Sequence, residues 1–157
     1  MNGIKLTTAQ LIGLVALRIS IGWHFLYEGL VKINAPAWSS VGFLKNADWI
    51  FAGFFQSLAS NPVVLQVVDI LNIAGLVAIG IALIAGLLTK PAAYAGFILL
   101  LFYYFANPPM PGIEPSAMAE GNYLIINKTL IEGIALFVLA KIPTGVFIGL
   151  DRFFVKL

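Results

Sequence analysis

The sequence has no cysteine, a single histidine and only 10% charged residues across 157 positions. Without a thiol the chain forms no disulfide, runs no thiol redox chemistry and ligates neither an iron–sulfur cluster through cysteine nor a metal through thiolate. One histidine excludes a haem held by two histidines of this chain, so a redox role requires an imported electron carrier. A net charge of +2 is too small to point to nucleic acid. What is abundant is apolar: 61% of residues are hydrophobic and the mean hydropathy is +0.98. That leaves too little polar surface to coat a water-soluble globule and describes an integral membrane protein. Its length accommodates a single domain, residues 1–157, of about four spans at ~20 residues each.

The expected fold class is all-α: a polytopic membrane protein built as a four-transmembrane-helix bundle. The spans are read at approximately 11–32, 65–88, 92–106 and 122–140. The first begins after Thr7 and Thr8, which suit a helix cap, and ends at Asn34-Ala35-Pro36. The second carries Gly75, Gly80 and Gly86, small residues that permit close helix approach, and a tight Thr89-Lys90-Pro91 turn follows it. No charge interrupts the third. The Pro-rich link after it, NPPMPGIEPSAMAEG, breaks regular helix in its first half. Between the first two spans, Phe43, Ala47, Phe51, Phe54 and Leu58 recur at helical spacing opposite Lys45, Asn46 and Asp48, with Trp38 and Trp49 at either end. This predicts an interfacial helix over approximately 39–59, an aromatic anchor or a lid over a site. The tail KIPTGVFIGLDRFFVKL reads as juxtamembrane.

Chemistry enters with the polar residues inside the spans. In the run Leu11 to Lys32, the residues Arg18, His24, Glu28 and Lys32 share roughly a third of the helix circumference at about 100° per residue. A charge facing hydrocarbon costs at least roughly 2.5–3.5 kcal/mol near the bilayer centre, so this stripe must face other helices or a wet cavity. At a rise of ~1.5 Å per residue, Glu28 and Asp69 lie roughly 5 Å from the outer ends, His24 and Lys128 roughly 10 Å, and Arg18 and Glu132 near mid-bilayer. The matched depths predict one outward-opening polar pocket, floored by an Arg18–Glu132 ion pair and walled by His24, Glu28, Asp69, Asn72 and Lys128. Glu28 with Lys32, four apart, makes an outer pair, and a His24 to Glu28 hydrogen bond competes with it. Asn127 projects away from the Lys128 and Glu132 face. The competing view is structural: buried pairs that only set helix register.

Lys5, Lys90, Lys141, Arg152 and Lys156 fall on one side of a four-span chain, against Lys32 and Lys45 on the other. The bias places both termini in the cytoplasm, in the plasma membrane of a bacterium or archaeon. The N-terminus lacks a small-x-small cleavage site and is expected to be retained.

The segments GWHFLYEGLVKI, WSSVGFLKNADWIFAGFFQSLASNP, GLVAIGIALIAGLLTKPA and NKTLIEGIALFVLAKIPTGVFIGLDR resemble the DoxX superfamily, in particular its DoxD-like branch. The glycine-rich third segment is weakly specific, whereas WHFLYEG, SSVGFLKNA and NKTLIE are more so. The resemblance implies a four-helix bundle similar to the quinone-reactive membrane subunit of thiosulfate:quinone oxidoreductase, which passes electrons from thiosulfate to membrane quinone and usually works with a small DoxA-like subunit. Other DoxX relatives accompany redox or stress-response complexes without assigned chemistry.

On that reading the chain is a candidate thiosulfate dehydrogenase (quinone) subunit. Quinone is its diffusible acceptor, with no bound metal, flavin or haem. A quinone requires an apolar slot reachable from lipid, donors for its carbonyl oxygens and a proton path. His24, Glu28, Asp69 and Glu132 are the candidate catalytic residues. Arg18, Trp23, Lys32, Asn72 and Lys128 are the candidate substrate- or quinone-binding residues, with Phe25 and Tyr27 offering further ring contacts. The cations Arg18, Lys32 and Lys128 suit attraction of an oxyanion such as thiosulfate. Two other functions compete: a non-catalytic scaffold of a redox complex, and a carrier or binder of a small anion or lipid-like molecule. Expected partners are membrane lipid, membrane quinone, a DoxA-like or other redox subunit and further copies of the chain, with no nucleic acid.

Overall fold

The structure is a computed structural model, and it describes residues 6–109, 124–142 and 144–154. Among these residues every regular element is helical. The long helices are α1 (Thr8–Asn34), α4 (Pro62–Ala85), α5 (Thr89–Ala106) and α6 (Lys128–Lys141). Shorter pieces are α2 (Val41–Lys45), α3 (Ala52–Ser60), α7 (Thr144–Phe147) and a 3₁₀ turn (Leu150–Phe153). Both α1 and α4 are long and apolar enough to cross a membrane.

Local chemistry sets the ends. Thr7 and Gln10 form a reciprocal capping box at the start of α1. The Asn61 side chain caps α4, with Pro62 in the first turn, where its missing N–H is not needed. Asn127 caps α6 by accepting from the Leu130 N–H at 2.9 Å. Gly86 ends α4 in the left-handed conformation at φ +64°. The connection to α5 is therefore Gly86–Leu88, and Thr89-Lys90-Pro91, expected as the turn, is the first turn of α5. Proline is tolerated there because N–H groups of a first helical turn have no partner within the helix. The second helix thus starts and stops earlier than the expected 65–88, and the third starts earlier than the expected 92–106 but ends at Ala106 as expected. The expected fourth span begins at 122, outside the described residues, and its helix begins at Lys128.

The long helices alternate in direction. Gly22 lies against Gly80 and Ile84, and Gly29 against Val77, which makes α1 and α4 antiparallel. Asn72 meets Tyr103 while Gly96 faces Ile79, which does the same for α4 and α5. A core of Ile21, Phe25, Leu76, Leu83, Leu100 and Leu136, among others, draws on all four helices.

The region between α1 and α4 departs from a single interfacial helix. It breaks into α2 and α3 around Trp49, which has φ +89° and stacks on Phe105. Register shifts with the break: Leu44, Ala47, Phe55 and Ala59 are buried, whereas Phe51 and Phe54, expected on the apolar face, are exposed. These residues pack on Ala106, Leu65 and Val68 as a second small core at that end of the bundle.

At the opposite end the tail is folded in. The Asp151 carboxylate accepts from the N–H groups of Leu88 at 2.6 Å and Thr89 at 3.0 Å, and its own N–H donates to Gly86 O at 2.9 Å. Leu88 stands at φ +50° and has no capping side chain, so Asp151 supplies the cap of α5 from 62 residues away in sequence.

Two stability outcomes follow. A Cβ at Gly80 would come within 2.6 Å of Leu26 N, whereas nothing lies within 4 Å of one at Gly75. Gly80→Val should therefore lower unfolding stability in mixed micelles by about 1–3 kcal/mol or more, with Gly75→Ala within about 0.5 kcal/mol of the parent. Asp151→Ala strands the buried Thr89 N–H and removes the partner of the Leu88 N–H, and should cost about 1–3 kcal/mol in the same titration.

Candidate functional site

Helix α1 carries the polar stripe, and its neighbours divide it in two. Arg18 is 1% exposed, and its Nη2 donates to Ile148 O at 2.8 Å and its Nη1 to Thr144 Oγ1 at 3.2 Å. The expected Arg18–Glu132 floor is absent: Arg18 lies against Gly86, level with the α4–α5 turn, and α7 and the 3₁₀ turn wrap round it. The carboxylate that acts on it electrostatically is Asp151. Its role in these contacts is to hold the tail.

Glu132 is instead the partner of His24. One turn past the cap of α6, its Oε1 accepts from His24 Nδ1 at 2.8 Å. A carboxylate accepts only, so the shared proton resides on Nδ1 and Nε2 remains available. The Glu132 side chain is 11% exposed and that of His24 is 37% exposed. The carboxylate is therefore buried in the seam between α1 and α6 while the imidazole reaches its edge. Trp23 and Tyr27, one turn apart on the outer surface of α1 and to one side of His24, are 59% and 55% exposed, with ring centroids 6.4 Å apart.

Further along α1, Lys32 Nζ donates to Glu28 Oε2 at 2.5 Å and lies 5.5 Å from the centre of the Trp38 ring. This pair forms in place of a His24 to Glu28 bond. Lys128, the first residue of α6, acts electrostatically on both His24 and Glu28. His24, Glu28, Lys32, Lys128 and Glu132 thus form one cluster of balanced charge on α1 and α6.

The α4 residues stand apart from it. Asp69 accepts from both the N–H and the hydroxyl of Ser40, at 2.8 and 2.5 Å, and so ties the segment leading into α2 to α4. Asn72 donates to the Tyr103 hydroxyl at 2.7 Å, joining α4 to α5. Tyr103, near the end of α5, is reached electrostatically by Glu28 and so borders the cluster. Among the described residues these groups are held in separate bonds. Two cavities, of about 400 and 350 Å³, are apolar: one lined by Leu6, Gln10, Gly13, Leu14, Leu17 and Ile142, the other by Leu71, Gly75, Ile79 and residues of α5. The single pocket expected from matched depths is thereby corrected to a narrow seam at His24–Glu132 and separate structural bonds at Arg18, Asp69 and Asn72. Among the described residues no group of three histidine, aspartate or glutamate side chains is placed to hold a metal ion.

Comparison with protein families matches residues 13–107 to DoxX, more than half of the chain. The chain belongs to the DoxX family. No curated protein and no solved structure matches it. The family match runs from α1 to the end of α5, so it takes in His24 but stops short of Lys128 and Glu132. In this DoxX protein the histidine and its carboxylate therefore come from opposite sides of that boundary. Sequence spacing matched Glu132 by depth to Arg18. The signal that would have redirected it is the tail, whose Thr144 and Asp151 give Arg18 other company.

A double-mutant cycle tests the reassignment. His24→Ala and Glu132→Ala should couple by about 0.5–3 kcal/mol in unfolding stability, whereas Arg18→Gln and Glu132→Gln should add to within about 0.3–0.5 kcal/mol, having no shared partner.

Proposed function

We propose that this DoxX membrane protein is the quinone-reactive subunit of an oxidoreductase, of the DoxD-like kind, and that it oxidises thiosulfate at the expense of membrane quinone. In this reading α1, α4, α5 and α6 are the four spans, and both termini lie in the cytoplasm. The observation that carries it is the His24–Glu132 pair, with its imidazole partly exposed at the edge of the seam between α1 and α6.

The chemistry follows from that geometry. Reducing a quinone consumes two electrons and two protons, and joining two thiosulfate ions through a sulfur–sulfur bond releases two electrons. The protein's task is then to hold the quinone carbonyl and deliver protons. Glu132 fixes His24 with Nδ1 protonated and stabilises a positive imidazolium, whose Nε2–H donates to a carbonyl oxygen arriving from the lipid side. Trp23 and Tyr27 present flat apolar faces beside that position. Glu28 and Lys128, whose charges act on His24, are placed to resupply its proton, and Lys32 and Lys128 draw an oxyanion toward this end.

One observation favours the scaffold instead: Arg18, Asp69 and Asn72 all spend their hydrogen bonds on joining segments of the chain. The two readings separate in one assay. Purified protein, alone and with a candidate DoxA-like subunit, should reduce a soluble quinone analogue when thiosulfate is supplied, and Glu132→Gln should slow this about 100-fold or more. Silence in both preparations removes the enzyme reading, and thiosulfate uptake into quinone-free vesicles would replace it with a carrier.

A further inference from the structure

We propose that the end of the bundle opposite α2 and α3 is a docking surface for anionic phospholipid headgroups. Three cations gather there. Lys90 is exposed in the first turn of α5, and Tyr94 follows it by one turn on the same face. Lys141 ends α6, and its Nζ lies 5.6 Å from the centre of the Tyr94 ring and 5.1 Å from that of Phe137. Arg152 follows Asp151, whose carboxylate is bound to the N–H groups of Leu88 and Thr89, so the Arg152 backbone lies near the start of α5.

None of the three pairs with a carboxylate among the described residues, where the ion pairs are His24–Glu132 and Glu28–Lys32. The acid at this end, Asp151, is 7% exposed and committed to backbone N–H groups. Among the described residues the positive charge at this end therefore has no carboxylate partner.

Apolar surface accompanies it. Phe153 and Phe154 are 67% and 76% exposed, and Arg152 lies 4.7 Å over the Phe153 ring. Exposed rings beside cations suit the boundary between headgroups and acyl chains, where the ring enters the apolar side and the cation meets phosphate. An acidic soluble partner would leave those rings in water. The surface is also held rigid, because Arg18 and Asp151 bind the segment that carries Phe153 and Arg152 to the bundle. A preset array loses little entropy when headgroups bind.

Native mass spectrometry of the full chain, after equilibration with mixed phosphatidylcholine and phosphatidylglycerol micelles, tests this. The parent protein should retain phosphatidylglycerol preferentially, and the preference should fall about fivefold for each cation removed in Lys90→Gln, Lys141→Gln and Arg152→Gln. Lys45→Gln, at the other end, should keep the parent preference. Equal retention of both lipids by the parent overturns the proposal, as does an undiminished preference in the triple variant with helical circular dichroism intact. Displacement of the lipid by excess inorganic phosphate also overturns it, because it would reveal a site for free anions. If the triple variant does not extract as a helical protein, the three single variants carry the same comparison.

Discussion

A polar side chain inside hydrocarbon finds no water, and the long-range hydrogen bonds of this DoxX protein answer to that constraint. Arg18 is buried against a backbone carbonyl and a threonine hydroxyl, Asp69 against Ser40, Asn72 against Tyr103, and Asp151 against two N–H groups of the α4–α5 turn. Each of these bonds joins segments distant in sequence. The need to satisfy polar groups is thus also what ties the tail, the α2 segment and the α4–α5 pair to the bundle.

The His24–Glu132 pair obeys the same rule with a different consequence. Glu132 is satisfied by His24, and the bond uses one ring nitrogen and leaves the other at the seam edge. A bidentate arginine partner would have consumed the carboxylate and left no titratable group to spare. The balanced cluster of His24, Glu28, Lys32, Lys128 and Glu132 keeps both signs of charge close together, which suits proton movement without a large net charge in the lipid.

The two ends of the bundle differ for a related reason. Around α2 and α3, aromatic and aliphatic side chains make a second small core, and the nearby Glu28 and Lys32 of α1 pair with each other. Around α7 and the 3₁₀ turn, the carboxylate faces inward and the cations face outward. That asymmetry centres on one residue: Asp151 serves as the cap that Leu88 cannot supply, and among the described residues Arg152 next to it pairs with no carboxylate.

Composition and apolar run length alone determined the membrane class, the all-helical architecture and the approximate position of each long helix. Runs of that length and hydropathy have few other stable forms in lipid, because the backbone must satisfy its own hydrogen bonds. Thr7, Asn34 and the residues of the α1 stripe were equally legible, since caps and helical spacing are local. Partners were not. Depth counting placed Arg18 near mid-bilayer beside Glu132, but a rise per residue gives level without rotation, and it ignored a tail that folds back to bind Arg18. The helix expected over 39–59 broke at Trp49 because its rings pack on the end of α5, a contact that no local periodicity encodes. Which acid meets His24, and whether a chamber or a seam lies between the helices, depended on the rotation and tilt of α6 against α1. Those are set by packing all four helices at once.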